Sequence, residues 1–334
     1  MANIADVSVG YKKETTFGTP VTVDRWLEFL DESLDYKVEE KQSQALRVGA
    51  SAVDLGSRRS WPTQQGSGDF TIPLMSKGMG TLLELLMGTS VSTLVSGTTY
   101  QQNHTLGSGL LPSATIQKGL VMADGTVAPY TFAGCTCSGF EISVTPDAAT
   151  LKSSWDIRSL ATATAYAAPS YPTGVMFDWS QAAPAYAGTL TGPTTTALAS
   201  GTTALTNVRE FSVAVSHGLA ADRFNMGASG LKAKPVAGKR TITGSITVEY
   251  TDAVLRDAHL NKTANPLTLT MTSAETLSTG FSQFQITLPQ TYITGQMPKV
   301  NGGNLITTQF SFTATYDGTN APITCSIRTA DTAL

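Results

Sequence analysis

The sequence predicts a mainly β protein: two tandem β-rich domains, each carrying one short α-helix. Three observations carry that reading. Only 14 % of the 334 residues are charged, against about 25 % in an ordinary soluble domain. Thr, Ser and 30 Gly fill the gap, and uncharged, β-branched, glycine-punctuated sequence suits pleated sheets. Many segments alternate apolar and polar residues with a period of two, and the same succession of elements occurs twice along the chain.

In the first half, Leu34, Tyr36 and Val38 alternate with Ser33, Asp35, Lys37 and Glu39. Phe70, Ile72 and Leu74 alternate with Asp69 and Thr71, and Phe140, Ile142 and Val144 with Glu141, Ser143 and Thr145. Each is the pattern of a half-buried strand. The stretch 75–87 instead places Met79, Leu82, Leu83, Leu86 and Met87 at helical spacing and stops at Gly88. In the second half, Glu210-Phe211 enters a strand over 212–216. A strand over 244–250 follows, then a helix over 252–261.

Gly68-Asp69-Phe70-Thr71-Ile72 matches Gly244-Ser245-Ile246-Thr247-Val248, and 140–144 matches 284–288 in pattern. The helix falls in the same place in both halves. The domains are therefore drawn as 1–166 and 208–334. Between them, 167–207 is rich in Ala, Thr, Pro and Gly and reads as a linker or surface excursion. The first domain carries a long polar loop, 40–65, and an extension, 88–131, that lacks a full counterpart in the second.

Composition also excludes functions. A net charge of -3 opposes tight nucleic-acid binding, which needs clustered Lys and Arg to displace counterions. The start has no basic region followed by an apolar run, and the apolar stretch at 82–87 is too short to cross a bilayer. The chain thus reads as a soluble protein made in a cytoplasm, without a membrane partner. Cys135, Cys137 and Cys325 are too few for a disulfide framework or a zinc site and are expected reduced and buried. His104, His217 and His259 share no ligand spacing and read as surface or loop residues. No nucleophile–base constellation is present, so no enzyme activity, cofactor or metal is expected.

Glu14-Thr15-Thr16-Phe17-Gly18-Thr19-Pro20 is followed by Arg25-Trp26-Leu27-Glu28-Phe29-Leu30, Glu32-Ser33-Leu34 and Gln42-Ser43-Gln44-Ala45-Leu46-Arg47. With the strand and leucine-rich helix after Gly66, and the run from Leu111 to Val144, this series resembles the tail tube proteins (major tail proteins) of long-tailed bacteriophages, especially those of actinobacteria. The resemblance covers roughly residues 9–160; the second half rests on the internal repeat. It implies two tandem tail-tube-type β-sandwich or half-barrel domains, each with a short flanking α-helix, whose inner sheets join side by side into one barrel. Rings of six such domains stack into a hollow virion tail, the conduit for DNA. With two domains per chain, a trimeric ring with pseudo-six-fold symmetry is expected. The implied partners are copies of the chain, a tape-measure protein and tail-end proteins, with DNA passing through without specific binding.

Under that reading the polar strand faces wall the lumen. The candidates are Asp35, Asp69, Thr71, Glu141, Ser143 and Asp156, then Ser245, Thr247, Glu249, Gln285, Thr287 and Gln309. A neutral or acidic wall suits a DNA conduit, because basic residues would hold phosphates. Ring-to-ring contacts are expected from two long loops: Arg47, Asp54, Arg58, Arg59 and Trp61 in the first, and Arg223, Phe224 and Lys232 in the second. The chain ends, 2–23 and 328–334, are further candidates for crossing between subunits. Two alternatives stay open: a two-domain adhesin or carbohydrate-binding protein, and the tube protein of a contractile injection system.

Overall fold

The computed structural model describes residues 7–45, 48, 53–295, 306–332 and 334. Its first series of elements runs β1 (Ser8–Lys13), β2 (Arg25–Leu27), β3 (Asp31–Glu32), β4 (Asp35–Val38), β5 (Lys41–Gln42), β6 (Arg59–Ser60), β7 (Gln64–Pro73), α1 (Gly80–Met87), β8 (Gly88–Ser96), β9 (Thr99–Leu106), β10 (Ala114–Val121), β11 (Val127–Val144), β12 (Ala149–Ile157) and β13 (Ser159–Ala161). The second runs β14 (Ala182–Thr191), β15 (Ser200–Ala204), β16 (Val208–Ser216), β17 (Thr241–Glu249), α2 (Val254–Asn261), β18 (Asn265–Thr276), β19 (Phe281–Gly295), β20 (Thr307–Ala314) and β21 (Thr324–Thr329). The protein is mainly β, as the alternation predicts.

Pairing sorts the strands into two layers, antiparallel throughout. The front layer runs β3/β4, β7, β12, β11, β16, β17, β20, β19. Its first four places come from the first series and its last four from the second. They join where 139–144 of β11 pairs with 211–216 of β16. Behind lie β2, β1, β10, β11, β13 in the first series, and β15, β14, β18, β19, β21, β9, β8 in the second. Strands β11 and β19 are long enough to serve both layers: each starts in the back layer and ends in the front one.

The core fills the space between layers. Every second residue of the front strands points into it, with Phe211 against Phe312 (ring centroids 6.0 Å apart) and Phe70 stacked on Trp155 (5.9 Å). Burying each such ring contributes about 1.5–3 kcal/mol. The two helices differ in immersion. In α1 all residues except Thr81 and Glu84 are buried, and Gly88 stops it in the left-handed conformation at φ 96°. In α2 only Leu255 and Ala258 are buried.

Several expectations are corrected. The stretch 167–207 is more than a linker: β14 and β15 lie in it, and β14 pairs with β18. Its Ala, Thr and Pro hid the strands, since within β14 and β15 Tyr186 alone supplies a large buried side chain. Within 88–131, β10 matches β18 in place, and the unmatched insertion is the β8–β9 hairpin, which extends the back layer of the second series through β21. Of the start, 2–23, offered for crossing between subunits, 8–13 form β1 inside the chain's own first back layer, between β2 and β10. Finally, 284–288 is not the counterpart of 140–144. It lies in the back-layer part of β19, paired with β18 and β21. A strand that serves two layers alternates identically in both.

Candidate functional site: a polar sheet face between two open edges

Because side chains alternate across a strand, register decides which polar residues share the face turned away from the core. One row crosses the whole front layer: Thr71, Lys152, Glu141, Ala214, Thr243, Thr313, Tyr292. A parallel row reads Thr150, Ser143, Ser212, Ser245, Ser311, Thr294, every one a hydroxyl. A third holds Glu210, Thr247 and Gln309. The hydroxyls tie neighbouring strands: Ser212 Oγ lies 3.0 Å from Ser245 Oγ, and Gln309 Nε2 donates to Ser245 Oγ at 3.1 Å. Thr247 Oγ1 donates to Glu210 Oε2 at 3.1 Å.

The charge on this face is arranged in pairs with acid left over. Lys152 pairs with Asp69. Its hydrogen bond, with one from Ser33, holds the Asp69 carboxyl below the usual range, and Asp69 in turn raises Lys152. Arg209 lies 3.6 Å from Glu249, and Lys37 3.9 Å from Asp35. Asp31, Glu141 and Glu210 add three carboxylates to the same rows. Each of these three cations therefore has a carboxylate beside it, which leaves a weakly acidic, hydroxyl-rich surface.

Nine of the predicted face residues meet here: Asp35, Asp69, Thr71, Glu141, Ser143, Ser245, Thr247, Glu249 and Gln309. Asp156 has the right register, opposite Ser67, but Lys232 covers it and both side chains are buried. Burial raises the Asp156 carboxyl, and the Lys232 contact opposes that rise. Gln285 and Thr287 are in the back layer, 3 % and 0 % exposed. Gln285 exchanges hydrogen bonds with the backbone of Ala199.

Both edges of the front layer end without a strand partner among the described residues: β3/β4 at one side, the end of β19 at the other. Two hairpin arms leave the same end of the layer. The first continues β4 and β7 through β5 and β6. Asp54, Arg58, Arg59 and Trp61 are exposed on it, with Arg59 3.1 Å from Glu40. Arg47 lies outside the described residues. The second arm, 217–239, is folded back onto the first series. Besides the Lys232–Asp156 pair, Gln64 N donates to Gly230 O at 3.0 Å, and Lys234 sits over the Phe17 ring at 5.8 Å. Arg223 donates to Lys234 O at 2.6 Å, and Phe224 is half-buried. Lys232 is thus engaged within the chain, whereas Arg223 is bonded only to its own arm and stays exposed.

Two groups escape sequence reasoning. Glu14 is buried, its carboxylate accepting from Gly18 N, Ser113 Oγ, Thr115 Oγ1 and Gly134 N at 2.8–3.0 Å. It pins the 14–20 loop onto β10 and β11. His104 and His217 are buried rather than at the surface; His217 Nε2 lies 2.8 Å from Leu86 O at the end of α1. The three cysteines are free and buried, with thiols raised by burial. Among the described residues no group of three or more His, Cys, Asp or Glu is placed to hold a metal ion, and no helix is long and apolar enough to cross a membrane.

A front layer spliced from two like series, polar on one face and with an unpaired strand at each edge among the described residues, defines the class: a β protein with strand edges to offer. The family described as phage tail tube protein matches residues 4–314. The match runs through the first series and through the second as far as the end of β20, well past the residues that carry the resemblance in the sequence. The chain belongs to the phage tail tube protein family, and so is a structural component of a tube in the phage virion. No curated protein matches it.

Proposed function

We propose that the chain is a tandem of two tube domains that closes into a trimeric, pseudo-six-fold ring, and that stacked rings form the DNA conduit of the tail. The observation that carries this reading is the splice of β11 to β16. It shows within one chain how the last front strand of one series accepts the first of the next. The free edges, β19 and β3/β4, are the same two strand positions left unused. Repeating the splice between copies is a head-to-tail contact, which closes into a ring, whereas a self-complementary contact would stop at a dimer.

Size favours three copies. With eight front positions per chain, counting β3 and β4 as one, three copies give a barrel of about 24 strands. At roughly 4.8 Å per strand and a tilt of up to about 45°, its backbone diameter is on the order of 37–52 Å. Allowing for side chains on both walls, that admits a DNA duplex; two copies would give a backbone diameter about one third smaller, and a bore reduced by more than that. The polar face then lines the channel, and its paired cations leave few sites to hold phosphates. The arms stand at one end of every ring, where stacked rings meet. The expected partners are further copies, a tape-measure protein and tail-end proteins. Synthesis takes place in the host cytoplasm, and DNA leaves through the bore at ejection. Negative-stain microscopy of the purified chain tests this: long hollow tubes are expected, and discrete monomers at all concentrations would refute it.

A further inference from the structure

The two arms correspond in position, yet they are dressed differently. The second arm is anchored: its returning segment holds Lys232 and Pro235 buried, and it reaches Asp156 of β12 and the 62–64 stretch. The described residues of the first arm are mostly exposed, Trp61 at 62 %. An isolated two-stranded hairpin is marginally stable in water, so this arm lacks the packing its twin has.

The matching bare surface is on the second series. The register that aligns Asp69 with Ser245 places Thr313 of β20 where β12 has Asp156. Thr313 is exposed there, beside exposed Tyr292 and, two residues beyond β20, Tyr316 at 62 % exposure. Gly56 stands nine residues before Gln65, as Lys232 stands nine before Thr241. Arg58 and Arg59 follow it much as Lys234 follows Lys232.

We propose that the first arm lies sideways across the second series of the neighbouring copy in the same ring, over Tyr292, Thr313 and Tyr316. It repeats between chains the contact that the second arm makes within one. This rests on the ring reading above: only when β19 pairs with the next copy's β3/β4 does β20 stand two strands from the first arm's root. Within one chain β7 and β20 are five strands apart, roughly 24 Å. The aromatic patch and Trp61 then cover each other, and each arm straps a junction between neighbouring series, three within chains and three between them.

The test uses full-length chains whose own cysteines are buried. Copies carrying Ser57→Cys are co-assembled with copies carrying Thr313→Cys, and a short bifunctional thiol reagent is added. A second mixture, Lys37→Cys with Thr294→Cys, probes ring closure alone; these positions correspond to the Ser216–Gly139 pair of the internal splice. Both mixtures are expected to give covalent dimers at least about tenfold above mixtures of either variant with unmodified chain. Linking by the closure pair without the arm pair overturns this inference and leaves the ring intact. Failure of both pairs overturns the ring, and the strap with it.

Discussion

At the scale of single residues, the wet face and the core obey opposite rules. On the face, hydroxyls stand opposite hydroxyls and each of Lys37, Lys152 and Arg209 has a carboxylate at hand, so the surface stays hydrated without a loose cation. In the core, two histidines are held neutral. His104 sits between Ser90 and Cys325 on adjacent strands, and burial pulls its pKa down to about 3. Burial likewise pulls His217 down to about 4, against the opposing hydrogen bond at Leu86. Both folded values lie below the unfolded value of about 6.5. The unfolded chain therefore takes up protons first as pH falls, and stability present above pH 6.5 is lost toward pH 4. Each histidine is expected to cost on the order of 1–2 kcal/mol between pH 7 and pH 5. Urea denaturation of His104→Met at both values checks this. Its acid loss should be smaller than the parent's by that amount; an unchanged acid loss would remove His104 from the account.

At the scale of elements, β4 and β7 remain paired without the arm they support, because 35–38 is hydrogen-bonded to 64–67 beneath it. Deleting 45–59 should therefore leave thermal unfolding close to the parent's and abolish tube growth, as microscopy and unfolding curves would report. Tubes growing undiminished would deny the arm its role. Most front strands were legible in the sequence because a half-buried strand writes its burial as alternation: Phe70, Ile72, Phe140, Ile142, Ile246 and Val248 all point inward as read. Layer membership was not legible. Gln285 alternates as Glu141 does, yet faces the back layer's own cover. Nor were β14 and β15, whose small residues carry no periodic signal. Lys232 looked like a surface cation, since nothing local announces that Asp156, 76 residues away, waits under it.

At the scale of the whole molecule, two wide open edges are a hazard unless they are used. Neither edge is blocked by proline, and the edge residues 31–38 mix Asp, Glu and Lys rather than one sign. The sparse charge of the chain fits a surface largely covered by copies of itself. In the proposed ring the internal splice is the template, giving every junction its strand direction and register. The most direct measurement is a cryo-EM reconstruction of tubes grown from the purified chain. The account predicts three-fold rings with pseudo-six-fold appearance, with Glu141 and Ser245 on the wall of a continuous central channel. Rings of another order, or those two residues on the outside of the tube, would contradict it.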